Sequence, residues 1–167
     1  MNFLPETRRK GGIFGETMYS DSKHRNPLAI GEAYQEKVAR VIYQRYGYKI
    51  HYYRTKEAQY SIGESVEGFE IKYDSWIGKS NRMSIEVGEK TRAGLSKFTK
   101  SGILREDNTK WYCQGDNNTC WIFSKKKLQE YYRTQQPRII DNNPPTIQKF
   151  YIDLNTADKL ASRKIKF

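Results

Sequence analysis

A chain of 167 residues is long enough to bury a core of its own, and 37% hydrophobic with 14% aromatic content argues against disorder. No apolar run approaches the roughly 20 residues needed to cross a bilayer, and residues 1–16 lack the apolar stretch of a secretory signal, so a cytoplasmic protein away from membranes is expected. Thirty Lys and Arg against 19 Asp and Glu leave a net charge of +11, which favours polyanionic partners.

Residues 1–27 are expected to form a basic arm, with Gly11, Gly12, Gly15, the run Arg8-Arg9-Lys10 and a closing turn signal at Asn26-Pro27. Residues 28–167 then make a single domain. From about residue 31 to 46, Tyr34, Val38, Val41, Ile42 and Tyr46 fall on one face of a 3.6-residue period, predicting a helix that Gly47 terminates. Strand-like runs follow at 48–54, 58–63, 68–73 and 82–87, then a helix near 91–100. Residues 110–114 and 119–123 read as a hairpin, with Cys113 and Cys120 as buried thiols in preference to a disulfide. Ser124 can cap a helix carrying Leu128, Tyr131 and Tyr132, residues 147–152 read as a last strand, and Thr156 starts a closing basic helix. This order predicts an α/β or α+β fold with a mixed central β-sheet flanked by helices.

The stretch from Gly63 to Asp74 carries the chemistry. On a strand, Phe69, Ile71 and Tyr73 share the core face and Glu70 and Lys72 share the other, about 7 Å apart between Cα atoms. A carboxylate to hold a divalent ion and an ammonium near the attacked phosphate are what phosphodiester hydrolysis uses. Glu64, six residues upstream, can share one Mg²⁺ with Glu70 through oxygen ligands, and Glu86, alternating with Met83, Ile85 and Val87, can add a third carboxylate. Charge points the same way: between residues 61 and 90, Glu64, Glu67, Glu70, Asp74, Glu86 and Glu89 outnumber Lys72, Lys79, Arg82 and Lys90 in an otherwise basic chain. Gln35 and Glu32, on the first helix, are placed to bond a water or the DNA backbone. Asp74 and Glu89 read as loop or surface charges.

With these residues the sequence resembles the PD-(D/E)xK nuclease superfamily, the restriction endonuclease-like group that includes Holliday-junction resolvases and phage exonucleases. The matching pieces are GEAYQEKVARVIYQRYGY, QYSIGE, GFEIKYD and MSIEVGEK, within roughly residues 30–124. The resemblance implies a helix, a strand ending in the first acid (Glu64), and a strand bearing the second metal ligand (Glu70) and the catalytic lysine (Lys72). It puts Gln35 where many members carry a helix glutamate. The first acid here is Glu, not Asp, and sits closer to Glu70 than is usual. Strand parity groups Glu64 with Tyr60 and Ile62 unless Gly63 forms a bulge, which leaves Glu67 as its substitute.

The expectation is therefore a Mg²⁺-dependent deoxyribonuclease, an endonuclease on duplex or branched DNA, with Mn²⁺ as a substitute ion and a homodimer compatible with paired cuts. Arg54 and Lys56, beside Tyr52 and Tyr53, and Lys125, Lys126 and Lys127, cations at a helix start where they oppose the dipole, are the nucleic-acid-binding candidates. Trp111 and Trp121 are expected in the core. No G-x-x-x-x-G-K-[ST] loop is present, which argues against an ATP-driven motor. The alternatives are a non-catalytic basic DNA- or RNA-binding protein, and a nuclease fold that has lost activity.

Overall fold

The computed structural model describes residues 26–167; the expected arm lies almost wholly outside them. Asn26 belongs to the first helix, where its side chain accepts from Leu28 N and Pro27 occupies the first turn, a position that needs no N–H. In chain order the elements are α1 (Pro27–Tyr46), α2 (Lys56–Ser61), β1 (Phe69–Tyr73), α3 (Ile77–Ser80), β2 (Arg82–Glu89) and β3 (Thr99–Lys100). There follow β4 (Trp111–Gly115), β5 (Thr119–Ser124), α4 (Lys125–Gln135), β6 (Ile140–Asp141), β7 (Ile147–Asp153), α5 (Leu154–Leu160) and β8 (Arg163–Lys166). The fold is α+β.

The strands form two four-stranded sheets instead of one central sheet. The first runs β1-β4-β5-β8 and is mixed, because β1 and β4 are parallel while the other pairs are antiparallel. The second runs β3-β2-β7-β6 and is antiparallel throughout. Helix α1 buries Tyr34, Val38, Ile42 and Tyr46 on one face of the first sheet, against Phe69, Ile71, Trp111, Cys113, Cys120, Ile122 and Ile165. It stops at Gly47, whose φ of 77° is left-handed and whose N–H bonds Tyr43 O. The other face of that sheet gives Tyr112, Trp121 and Phe123 to a second core with Met83, Ile85, Phe150, Ile152 and Leu128. Cys113 and Cys120 are both buried free thiols.

Four sequence expectations fail, each for a local reason. Residues 58–63 are not a strand: Thr55 caps a helical turn by accepting from Ala58 N, and Tyr60 and Ile62 are exposed, so their alternation marks no core face. Residues 48–54 form no strand either: a single bridge joins Tyr52 to Ser65, and Tyr48, Ile50 and Tyr52 pack irregularly against the first core. The helix near 91–100 is absent; that segment buries nothing and ends in the two-residue β3. The closing helix begins at Leu154, because Asp153 accepts from Thr156 N, and the chain ends in β8, not in a helix.

Candidate active site

β1 lies at the edge of the first sheet, and its parity sets the site. Phe69 and Ile71 go under α1, so Glu70 and Lys72 turn to the opposite face. In register beside them on β4 are Tyr112 and Gln114. Strand β2 supplies the facing polar groups, since Ser84 and Glu86 alternate with the buried Met83, Ile85 and Val87. Lys72 Nζ stands 3.2 Å from Glu70 Oε1 and 3.0 Å from Glu86 Oε2. Three sequence-derived residues thus meet. The Glu70 side chain is only 4% exposed and that of Lys72 is 32% exposed.

Electrostatics follow from that placement. Burial works against the Lys72 ammonium, yet Tyr112, Glu70 and Glu86 around it hold its pKa well above the usual lysine range. Burial also works against the Glu86 carboxylate, but Lys72 and the Ser101 hydroxyl, 2.6 Å from Oε1, keep its pKa below the usual value. Glu64 goes the other way: burial and the neighbouring charge of Glu70 raise it, with Lys72 and Arg105 pulling back. Lys72 is therefore shared among more carboxylates than one cation neutralises.

Glu64 is not at a strand end. It sits in the loop between α2 and β1, its carbonyl accepting from Tyr53 N. Gly63 sets that loop, with φ of 140° and Asn108 Oδ1 only 1.8 Å from where a Cβ would lie. Asn108 ties the loop down by bonding Ile62 O through its backbone and Ser65 O through its side chain. Glu67, the substitute first acid, is held elsewhere: it accepts from His51 N at 2.7 Å and bonds the His51 ring. Gln35 does not reach the cluster; its amide donates to Ile71 O at 3.2 Å, from the α1 side of β1. Asp74 is no surface charge, because it accepts from Trp76 N, Ser84 N and Oγ, and Gln114 Nε2, closing the far end of the polar lane.

The lysine triplet divides. Lys125 is 4% exposed, pairs with Asp107 at 2.6 Å and donates to Arg105 O, so it is an internal structural cation and not a nucleic-acid contact. Lys126 and Lys127 are exposed, as are Arg54 and Lys56. Lys56 lines a cavity of about 350 Å³ with Glu64, Gln59, Tyr60, Glu89 and Arg105. Trp111 and Trp121 are in the core.

Sequence reasoning missed Arg105 and Ser101. Arg105 pairs with Glu89 at 2.8 Å and borders both this cavity and a larger one beside it. Ser101 is fully buried and reaches Glu86 because Gly102, at φ of 51°, lets the chain approach: a Cβ there would lie 2.3 Å from Glu86 O. A Ser-Gly pair reads as a turn signal in sequence, and nothing in that signal names Glu86 as its partner.

The donor set suits a hard divalent cation, since Glu64, Glu70 and Glu86 offer carboxylate oxygens and Glu64 is crowded by Glu70. Among the described residues no three His, Cys, Asp or Glu side chains are grouped closely enough to hold an ion as they stand, and Lys72 provides the positive charge between Glu70 and Glu86. No helix among the described residues is long and apolar enough to cross a membrane. No family model, curated protein or solved structure matches this chain.

Proposed function

We propose that this chain is a metal-dependent nuclease of the PD-(D/E)xK type that hydrolyses DNA phosphodiester bonds, cutting within duplex or branched DNA. One observation carries the reading: a single strand edge presents Glu70 and Lys72 together, and Glu86 from a second sheet joins them within 3.0 Å of the ammonium. Glu64, Glu70 and Glu86 would hold Mg²⁺, or Mn²⁺ in its place. Bound there, the ion supplies Lewis-acid activation of water and neutralises charge at the phosphate.

The chain's own groups have distinct parts. The carboxylates around Lys72 favour its charged form, and it would act as a positive charge toward the phosphate and as the brace between Glu70 and Glu86. Ser101 holds the orientation of Glu86, and Arg105, at the rim, faces incoming phosphate from beside Glu64. A basic surface outside the acidic segment supplies the attraction for a polyanion.

The test is a panel of duplex, branched and single-stranded DNA incubated with and without Mg²⁺, beside calorimetric titration of Mn²⁺ into wild type and Glu70→Gln. Divalent-dependent cleavage, with Mn²⁺ affinity reduced about tenfold or more in Glu70→Gln, is expected. Binding of DNA that is indifferent to the ion, with no cleavage of any substrate, would leave the non-catalytic binder as the correct reading.

A further inference from the structure

Arg105 also borders a larger cavity, of about 780 Å³, shared with Lys100, Leu104, Thr109, Lys110, Trp111 and the start of α4. Its size is within the range of small-ligand sites. We propose that it is a nucleotide subsite, with the phosphate held by Lys110, Lys126 and the first turn of α4, and the nucleoside against Leu104 and Trp111. That the nucleotide belongs to a DNA strand being cut rests on the nuclease reading.

Three independent features converge on a phosphate. First, α4 runs eleven residues and begins with three lysines, where cations oppose the helix dipole. Lys125 is accounted for by Asp107, but among the described residues Lys126, Lys127 and Lys110 make no ion pair. An anion at this end turns that arrangement favourable, because dipole, N–H groups and lysines then act together. Second, Ser124, the residue preceding the helix, makes no side-chain capping bond, so the first turn is not closed by its own cap. Third, Thr109 is 7% exposed and borders the cavity, and its hydroxyl has no hydrogen-bond partner. Buried hydroxyls are ordinarily bonded. Two carboxylates also border the cavity: Asp107 pairs with Lys125 at 2.6 Å through Oδ1 while its Oδ2 has no hydrogen-bond partner, and Glu106 stands 3.7 Å from Lys100, so each carries a cation beside it. Leu104 and Trp111 make the wall apolar, which inorganic phosphate does not use and a nucleoside does.

The experiment is calorimetric titration of the full chain in EDTA with thymidine 5′-monophosphate, thymidine and inorganic phosphate, with no turnover possible. The monophosphate is expected to bind about tenfold or more tightly than either fragment. The pair Lys110→Ala/Lys126→Ala should weaken it by about ten- to a hundredfold, and Thr109→Val should weaken it less. Lys159→Ala, an exposed lysine on α5, should leave it unchanged. Thermal melts of each variant identify any that fail to fold. No binding of the monophosphate, binding unmoved by the double substitution, or inorganic phosphate binding as tightly as the monophosphate would each overturn the subsite. Monophosphate binding through these residues with no cleavage of any DNA would uphold the subsite and remove the nuclease reading. Cleavage without such binding would do the reverse.

Discussion

Two lysines, each beside carboxylates, have opposite meanings in this molecule. Lys125 meets one acid, Asp107, whose side chain is 1% exposed, and its remaining hydrogen bond goes to a backbone carbonyl. The pair is matched one to one, with both side chains almost wholly buried. Lys72 stands between Glu70 and Glu86 with Glu64 beyond, a third of its side chain open to solvent. There the acids are in surplus and the charge is unfinished. A closed pair is what a fold needs to place a charge inside; a surplus open to solvent is what a site needs to recruit a cation or a phosphate.

Breaking the closed pair should have the largest effect. Lys125→Ala leaves Asp107 buried without its cation and is expected to lower stability by about 3–5 kcal/mol, read from urea unfolding. Adding Asp107→Asn should recover much of the loss, and a Lys125→Ala protein as stable as wild type would mean the pair is not structural.

At the open cluster, Lys72→Ala should reduce the cleavage rate by about 10²–10³-fold. Its carboxylates then lack their fixed cation, so Mn²⁺ should raise the melting temperature of this variant more than that of wild type. Equal cleavage by the two proteins would move the active site elsewhere.

Ser101→Ala removes a 2.6 Å bond to a carboxylate and should cost about 1.5–3 kcal/mol. It should also lower Mn²⁺ affinity while leaving DNA binding in EDTA unchanged. A loss of stability with no change in Mn²⁺ affinity would make Ser101 a packing residue only.

The smallest effect belongs to a pair outside the cluster. Burial opposes ionisation of Glu67, but hydrogen bonds from His51 outweigh it and hold its pKa below the ordinary 4.5. A depressed folded pKa contributes stability above the unfolded value and loses it as pH falls through the folded one. Glu67→Gln should therefore be less stable than wild type at neutral pH, by under about 1 kcal/mol with His51 exposed. The gap should close on the acid side of 4.5, and urea midpoints at about pH 7 and pH 3 would show it.

The strand around Glu70 was legible because alternation of period two is local: Phe69 and Ile71 must be buried, so Glu70 and Lys72 must share the other face. The same logic placed Glu86 opposite Met83, Ile85 and Val87, and the 3.6-residue stripe from Tyr34 to Tyr46 placed α1 on the sheet. It failed where the apolar residues were not core residues. Tyr60 and Ile62 alternate like a strand but are exposed, and the Thr55 cap won the segment for a helix.

By itself, then, the sequence determined a mixed helix-and-strand class, the helix over the first sheet, the face that Glu70 and Lys72 share, and the basic composition around an acidic segment. Only the tertiary structure decided which charges meet. Lys125, Lys126 and Lys127 are alike in sequence, yet one is locked inside on Asp107 and two remain outside. Glu64 is the first acid on paper with Glu67 as its substitute, and in the fold His51 claims Glu67 while Glu70 crowds Glu64. Ser101 and Arg105 join the site from loops that carry no periodicity. The physical reason is common to all of them: pattern fixes which way a side chain points from its own strand or helix, whereas an ion pair depends on the distance between segments remote in sequence, and that is set by how sheets, helices and loops pack together.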